Sequence, residues 1–244
     1  MIDEIIILAA GTGSRMAEIT KDHPKCMAPF LGGTILSRLL EQIREYKPRA
    51  IHIVGGYKID VLERYLRNTQ FAGLPINLLL NNRYADTNSL VSAATALSKA
   101  KGQLLIFNSD VVYQGDLVRR MYESTDLCAF SLDRSGYNEE SEKLVVNANG
   151  RVVQIAKTIG EADATGCSAD LYRVNTEASN GLIMRLLPRF MERPGAARQL
   201  FEDYLDQCLT VQEFSAIDVT GLEWYEIDTV AELREAESIF KNID

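Results

Sequence analysis

Two glycines, an arginine and a lysine near the start of the chain have the types and spacing needed to hold a string of phosphates. Leu8-Ala9-Ala10-Gly11-Thr12-Gly13-Ser14-Arg15-Met16 follows the apolar run Ile5-Ile6-Ile7, and Pro24-Lys25 comes shortly after. A strand that ends in small residues and glycine exposes backbone N–H groups with no side chains in the way, and a phosphate chain can lie against them. Arg15 and Lys25 bring two fixed positive charges to that loop. Other glycine loops fail at fixed offsets: the dinucleotide fingerprint needs a third glycine where Met16 stands, and the P-loop needs Gly-Lys-Ser/Thr, which follows neither Gly11 nor Gly13. A plainer reading is that the two glycines only shape a strand-to-loop turn. Arg15 and Pro24-Lys25 tilt the balance toward a nucleoside triphosphate site.

The string from Leu8 to Met16 with Pro24-Lys25 resembles the signature of the sugar-phosphate and phosphocholine nucleotidyltransferases. Within them the likeness is nearest to the bacterial CTP:phosphocholine cytidylyltransferases and their relatives that activate phosphonates. Three further stretches carry it: Asn81-Asn82-Arg83-Tyr84-Ala85-Asp86-Thr87-Asn88-Ser89, Asn108-Ser109-Asp110 and Tyr225-Glu226-Ile227-Asp228. The resemblance implies an α/β fold of the nucleotide-diphospho-sugar transferase type. That is a Rossmann-like, mostly parallel sheet flanked by helices, with a β-rich acceptor-binding portion. It further implies transfer of CMP from CTP, or of another nucleotide from its triphosphate, to a small phosphorylated or phosphonate acceptor with loss of pyrophosphate.

Such a transfer requires an oxyanion to attack an α-phosphate that already carries negative charge. Mg²⁺ eases this by bridging phosphate oxygens, and one or two carboxylates usually hold it. Asp110 follows the apolar stretch Gln103 to Phe107, at the carboxyl end of a strand where open α/β sheets place their ligands. Asp228 follows Trp224-Tyr225-Glu226-Ile227, with Glu226 two positions away on the same side. The resemblance supports Asp110 and Asp228 as the Mg²⁺ pair. Each has another reading: Asp228 could cap the helix Val230 to Phe240, and Asp110 could be a turn residue. Lys25 and Arg15 join Asp110 as catalytic candidates by neutralising charge on the transferring group, and no protein nucleophile is needed. Leu8, Ala9, Ala10, Gly11, Thr12, Gly13, Ser14, Arg15 and Lys25 are the expected nucleotide-binding loop. By resemblance Asn82, Asn88 and Ser89 join them, although Asp86, Thr87 and Asn88 are also good caps for the helix that follows.

The acceptor side departs from the choline enzymes. There an aromatic residue follows an acidic one just before a hairpin and helps to cage the quaternary ammonium; here the dipeptide is Glu142-Lys143. Lys143 would repel choline and welcome a carboxylate, phosphate or phosphonate, unless it is only a solvated charge at a strand end. Lys157 resembles the lysine with which sugar nucleotidyltransferases hold the acceptor phosphate, and Tyr84 and Glu226 complete the expected acceptor set. The lone Trp224 is assigned to the core. Three alternatives stay open: a nucleotide-sugar pyrophosphorylase using UTP, GTP or dTTP, a phosphocholine enzyme proper, and a regulatory module that binds nucleotide without catalysis.

The elements that must position these residues follow from periodicity. Strands are expected at Glu4 to Leu8, Ala50 to Val54, Ile76 to Leu80, Gln103 to Phe107 and Leu127 to Leu132. Between them, helical apolar stripes run through Thr34 to Tyr46, Tyr57 to Arg67 and Asn88 to Ala100. Asn147-Ala148-Asn149-Gly150 reads as the turn of a hairpin between Lys143 to Val146 and Arg151 to Ala156. A strand at Cys167 to Val174 and helices at Thr176 to Glu192 and Ala196 to Cys208 follow. With 244 residues, 46% of them hydrophobic, the chain can bury one full core. We therefore read 1–244 as a single nucleotidyltransferase domain, with a nucleotide-binding core over 1–134 and an acceptor-binding portion with the C-terminal metal-ligand segment over 135–244. A net charge of −8 argues against a nucleic-acid partner. No basic leader or long apolar run opens the chain, so a cytoplasmic protein without membrane contact is expected. A homodimer is left open. Four scattered cysteines and two histidines give no zinc pattern and read as free thiols.

Overall fold

The computed structural model describes residues 2–67, 69–137 and 139–243. In chain order the strands are β1 (Glu4–Ala9), β2 (Pro29–Phe30), β3 (Gly33–Thr34), β4 (Ala50–Gly55), β5 (Ile76–Leu80), β6 (Gln103–Asn108), β7 (Val111–Tyr113), β8 (Ala129–Leu132), β9 (Lys143–Val146), β10 (Arg151–Ala156), β11 (Gly166–Cys167), β12 (Leu171–Asn175), β13 (Phe214–Asp218) and β14 (Trp224–Glu226). The helices are α1 (Ala17–Thr20), α2 (Ile35–Arg44), α3 (Ile59–Leu66), α4 (Ser89–Leu97), α5 (Gly115–Glu123), α6 (Ala178–Met191), α7 (Phe201–Cys208) and α8 (Val230–Phe240).

One ten-stranded sheet runs through the molecule in the order β11-β9-β10-β13-β8-β12-β6-β1-β4-β5. From β6 through β1 and β4 to β5 every pair is parallel. The apolar strands of that part are covered on both faces, as continuous Val/Ile/Leu runs require. Alternate side chains of β1 feed two separate cores. Ile6 and Leu8 pack with Leu90, Ala93 and Leu97 of α4 and Phe201 and Leu205 of α7. Ile5, Ile7 and Ala9 pack with Leu36, Leu40 and Ile43 of α2 and Leu117, Val118 and Met121 of α5. The period of two in a strand thus sets which helix layer each residue supports. Beyond β6 the sheet turns mixed: β12 is antiparallel to both β6 and β8, and β9, β10 and β11 form an antiparallel flap with Asn147 to Gly150 at the hairpin turn.

A third cluster joins Met16, Phe30, Ile35, Val112, Ile227, Leu233, Ala236 and Phe240, which pins α8 against the loop after β1. Met16 and Ile227 stand next in sequence to Arg15 and Asp228, so this cluster fixes two charged residues through their apolar neighbours.

Three expected elements differ in detail. The strand at Cys167 to Val174 is two strands, because Asp170 adopts a left-handed backbone with φ of 53° between β11 and β12. The helix expected from Ala196 is a single 3-10 turn at Ala196–Arg198, after which Gln199 and Leu200 are extended and α7 begins, with Leu200 N–H donating to Asp203. Within the span of α6, Ser179, Asn180 and Gly181 have left-handed backbone and break its first turn. Strand β13, which is not among the expected strands, inserts parallel to β8. No helix among the described residues is long and apolar enough to cross a membrane.

Candidate active site

Strands β1 and β6 lie side by side, and the chain leaves the carboxyl end of each on opposite sides of the sheet order, which is where open α/β sheets leave a crevice. The loop after β1 folds back on itself. Gly13 sits at φ 61° and accepts a hydrogen bond from the Thr20 hydroxyl at 2.9 Å; a Cβ here would lie 2.9 Å from Lys25 Cβ. Only glycine gives both the left-handed turn and the room for the lysine stem. Pro24 holds the chain extended before the 3-10 turn Lys25–Met27, which buries Cys26 and turns Lys25 inward. Gly56 does similar work for the neighbouring wall: a Cβ there would fall 2.5 Å from Tyr84 Cβ and 2.9 Å from the Ala10 carbonyl oxygen.

At the mouth of this loop the charges are tightly paired. Lys25 Nζ lies 2.7 Å from Asp110 Oδ2 and 2.5 Å from Asp228 Oδ1, and Arg15 Nη2 lies 2.7 Å from Asp228 Oδ2. Burial pulls the Lys25 ammonium down, but Asp110 and Asp228 outweigh it and hold the group above its ordinary value. The two aspartates are placed by backbone as well, since Ile227 N–H donates to the Asp110 carbonyl oxygen at 2.9 Å while β14 pairs antiparallel with β7. Capping of α8 falls to Thr229, whose side chain accepts from Glu232 N–H in a reciprocal capping box. The Asp228 carboxylate is therefore not the cap.

Asp110, Glu226 and Asp228 can each offer a carboxylate oxygen within 4.8 Å of the others, the one such metal-binding group among the described residues. Three hard oxygen donors at this separation suit Mg²⁺. Glu226 is pushed up to about 7 by burial and by the charges of Asp110 and Asp228.

An open cavity of about 250 Å³ adjoins this cluster. Of the expected nucleotide and metal residues, Leu8, Ala10, Gly11, Asn88, Ser89 and Asp110 line it. Asn88 caps α4 through Ser89 N–H, and Ser89 Oγ accepts from Phe201 N–H, so both also tie α4 to α7. Lys25, Arg15 and Asp228 reach it through the paired charges. Ala9 packs into the core instead, Thr12 and Ser14 are exposed on the loop, and Asn82 is exposed outside the wall. Its neighbour Asn81 is the buried asparagine of the wall, with its amide donating to Ser92 Oγ at 3.1 Å.

On the acceptor side Tyr84, Lys157 and Glu226 line the cavity, whereas Lys143 does not. The Lys143 side chain is buried and its ammonium donates to the carbonyl oxygens of Lys157 at 2.8 Å and Glu139 at 3.4 Å. It ties the flap together, away from the cavity lining. Trp224 is half-buried, donates from Nε1 to Asp133 Oδ2 at 2.8 Å, and both packs on the core and forms part of the wall.

Sequence reasoning missed a second carboxylate group in the same cavity, made by Glu142, Asp170 and Glu202. The Tyr172 hydroxyl lies 2.9 Å from Asp170 Oδ1 and 2.7 Å from Glu202 Oε1. One hydroxyl hydrogen serves only one of them at a time, so the second contact requires a proton on a carboxyl. Burial, then the charges of Glu226 and Glu202, push Asp170 well above the carboxylate range; burial raises Glu202 too, and burial with the Glu202 charge takes Glu142 up to about 8.

Residues 5–173 match the MobA-like NTP transferase domain. The chain is 29% identical to CTP:phosphoglutamine cytidylyltransferase of Campylobacter jejuni over 65% of its own length and 67% of that protein's. It is 25% identical to CMP-5'-(3-aminopropyl)phosphonate synthase of Streptomyces rubellomurinus over 96% of its length, but spans only 38% of that longer protein. GlmU proteins, described as bifunctional, also match, and the chain spans about a third of several of them. In fold it is similar to the inositol-1-phosphate CTP transferase of T. maritima, with a TM-score of 0.82, 17% identity and coverage of 99% and 96% of the two chains. A UDP-glucose pyrophosphorylase has the same fold at a TM-score of 0.80, 15% identity and full coverage of both chains.

Proposed function

The chain belongs to the MobA-like NTP transferase domain family, and on that premise we propose that this nucleotidyltransferase moves CMP from CTP to a small phosphorylated or phosphonate acceptor and releases pyrophosphate. The observation that carries this reading is the run Arg15–Asp228–Lys25–Asp110, set at the ends of β1 and β6 beside the cavity. The Campylobacter and Streptomyces relatives, both named for cytidylyl chemistry, support the choice of nucleotide.

In this reading the backbone N–H groups of the Gly11 loop face the phosphates, and Arg15 and Lys25 neutralise the charge that builds on them. Asp110, Glu226 and Asp228 would hold Mg²⁺, which would add charge neutralisation at the phosphates. An oxygen of the acceptor phosphate or phosphonate attacks the α-phosphorus, and pyrophosphate leaves from the opposite side. Cys26, the thiol nearest Lys25 in sequence, is fully buried and pushed up to about 12 by burial and the Asp110 charge, which excludes it as a nucleophile at neutral pH. In this reading the reaction is sequential, without a covalent intermediate.

The test is pyrophosphate release with Mg²⁺, crossing CTP, UTP, GTP, ATP and dTTP with small phosphates, phosphonates and hexose 1-phosphates. Turnover confined to CTP and a small non-sugar acceptor is expected. Turnover with UTP, GTP or dTTP and a sugar 1-phosphate would move the chain to the nucleotide-sugar pyrophosphorylases.

A further inference from the structure

We propose that Tyr57 is a positioning residue for the nucleotide, a strut that sets the loop receiving the phosphates against the wall receiving the nucleoside. The inference rests on the reading of the cavity as a nucleotidyl-transfer site and adds a residue that stands outside the cavity lining.

Tyr57 lies in the turn Gly56-Tyr57-Lys58 between β4 and α3, and it grips the loop after β1 at two points. Its N–H donates to the Ala10 carbonyl oxygen at 3.3 Å, where that loop opens. Its hydroxyl donates to the Lys21 carbonyl oxygen at 2.8 Å, where the loop returns after α1. The Ala10–Gly11 peptide is planar and trans, so its carbonyl and its N–H point in opposite directions. Fixing the Ala10 carbonyl on Tyr57 therefore aims the Gly11 N–H the other way, and Gly11 lines the cavity with that N–H unpaired among the described residues. At the return, the restraint on Lys21 passes to the adjacent Thr20, whose hydroxyl is shared between the Gly13 and Met16 carbonyl oxygens at 2.9 and 3.1 Å. Gly13 backs on the Lys25 stem and Met16 follows Arg15, so the strut bears on both cations of the loop.

The ring serves the other wall. Tyr57 meets Tyr84 edge to face with centroids 6.4 Å apart, and Tyr84 lines the cavity together with Asn81, Thr87, Asn88 and Ser89. Gly56 makes this approach possible, because any side chain there would meet both Tyr84 and the Ala10 carbonyl oxygen. One residue thus holds the phosphate loop through its polar groups and the nucleoside wall through its ring.

Core packing is the competing account, and the contacts disfavour it. Neither Tyr57 nor Tyr84 belongs to any of the three apolar clusters, and Tyr57 is only half-buried. The next residue, Lys58, has left-handed backbone with φ of 50°, a conformation that costs energy in a residue with a side chain and persists where its surroundings impose it. A turn held in this way outside the core serves the two walls it touches.

The experiment measures calorimetric binding of pyrophosphate, CMP, UMP and CTP, each with Mg²⁺ and without acceptor, to the parent protein, Tyr57→Phe and Tyr57→Leu, with circular dichroism to confirm folding. Pyrophosphate probes the loop alone, whereas CMP draws mainly on the nucleoside wall. Tyr57→Phe keeps the ring and loses the bond to Lys21. It should weaken pyrophosphate and CTP by about 3- to 10-fold, the size of one hydrogen bond, and leave CMP within about twofold. Tyr57→Leu loses the ring contact as well and should weaken CMP too, so that the phenylalanine rescues CMP but not pyrophosphate. Unchanged pyrophosphate binding in folded Tyr57→Phe, or an equal loss for pyrophosphate and CMP, would overturn the positioning role. Parent protein that binds UMP in place of CMP, with the selective loss of pyrophosphate in Tyr57→Phe intact, would uphold the strut and overturn the cytidylyl reading. Parent protein that binds neither pyrophosphate nor any of these nucleotides would overturn both.

Discussion

At one end of the cavity four charges pair in a row, and at the other acidic groups outnumber cations. Arg15, Asp228, Lys25 and Asp110 form an unbroken chain of contacts of 2.5–2.7 Å. Asp170 and Glu202 share one tyrosine hydroxyl, and with Glu142 they face one lysine. The first arrangement is organised before substrate arrives, with the Lys25 ammonium bridging two carboxylates that would otherwise repel each other. The second carries a desolvation cost that only a bound group can relieve, and it holds its carboxyls partly protonated meanwhile. Preorganisation suits the step common to all substrates of such a fold, and the unrelieved charge suits recognition of one of them.

Breaking the paired end should give the largest effect. Asp110→Ala removes both an oxygen of the candidate metal cluster and a partner of Lys25, and metal-dependent pyrophosphate release should fall by about 10³ or more while circular dichroism stays native. Retained activity in Mg²⁺ would place the metal elsewhere. Lys25→Met should lower kcat by about 10² to 10³, or about 3 to 4 kcal/mol, the range for a lost electrostatic stabiliser. Because the ammonium stands between Asp110 and Asp228, the same variant should bind Mg²⁺ more tightly in the absence of nucleotide, as read by calorimetry. Weaker metal binding would mean that Lys25 supports the metal site and does not occupy its place.

A smaller effect separates the flap from the pocket. Lys143→Met leaves the Lys157 and Glu139 carbonyls without their donor, and should cost about 1 to 3 kcal/mol of stability. Its acceptor profile should remain that of the parent. A shift of the profile toward cationic acceptors would return Lys143 to the role its position beside Glu142 suggests in the sequence.

The two ends also differ in how far they could be read from the chain. The paired end was legible because its glycine loop and Pro24-Lys25 lie close in sequence, and because Asp110 and Asp228 each follow a recognisable strand. The parallel strands and their helices were legible for the same reason, since each has its own period. The acidic end is assembled from the start of β9, a left-handed residue between two strands, and the first turn of α7, none of which carries a local motif. Reading Cys167 to Val174 as one strand hid the turn that aims Asp170, and reading a helix from Ala196 hid the extended Gln199 and Leu200 that set where α7 starts. Glu142 and Lys143 show the limit most plainly: they are adjacent, and their side chains serve the cavity and the flap backbone respectively, a choice that only the pairing of β9 with β10 and β11 decides.

The smallest expected effect tests the unrelieved charge directly through pH. Glu142 is held at about 8 against an ordinary 4.5, by burial first and then by Glu202, with Asp203 and Glu226 adding to the rise and Lys157 opposing it. The native state therefore keeps a proton that the unfolded chain releases. The stability this group contributes is complete below the unfolded value, declines as pH rises above it, and is gone above about 8. Glu142→Gln has no proton to lose, whereas the other carboxyls are common to both proteins. The melting temperature of the variant relative to the parent should accordingly climb between pH 5 and pH 8, by at least about 2 °C for a chain of this size. A difference that stays flat would mean that Glu142 is ionised throughout and paired with Lys157. The acidic end would then be as fully paired as the nucleotide end, and the contrast between them would disappear.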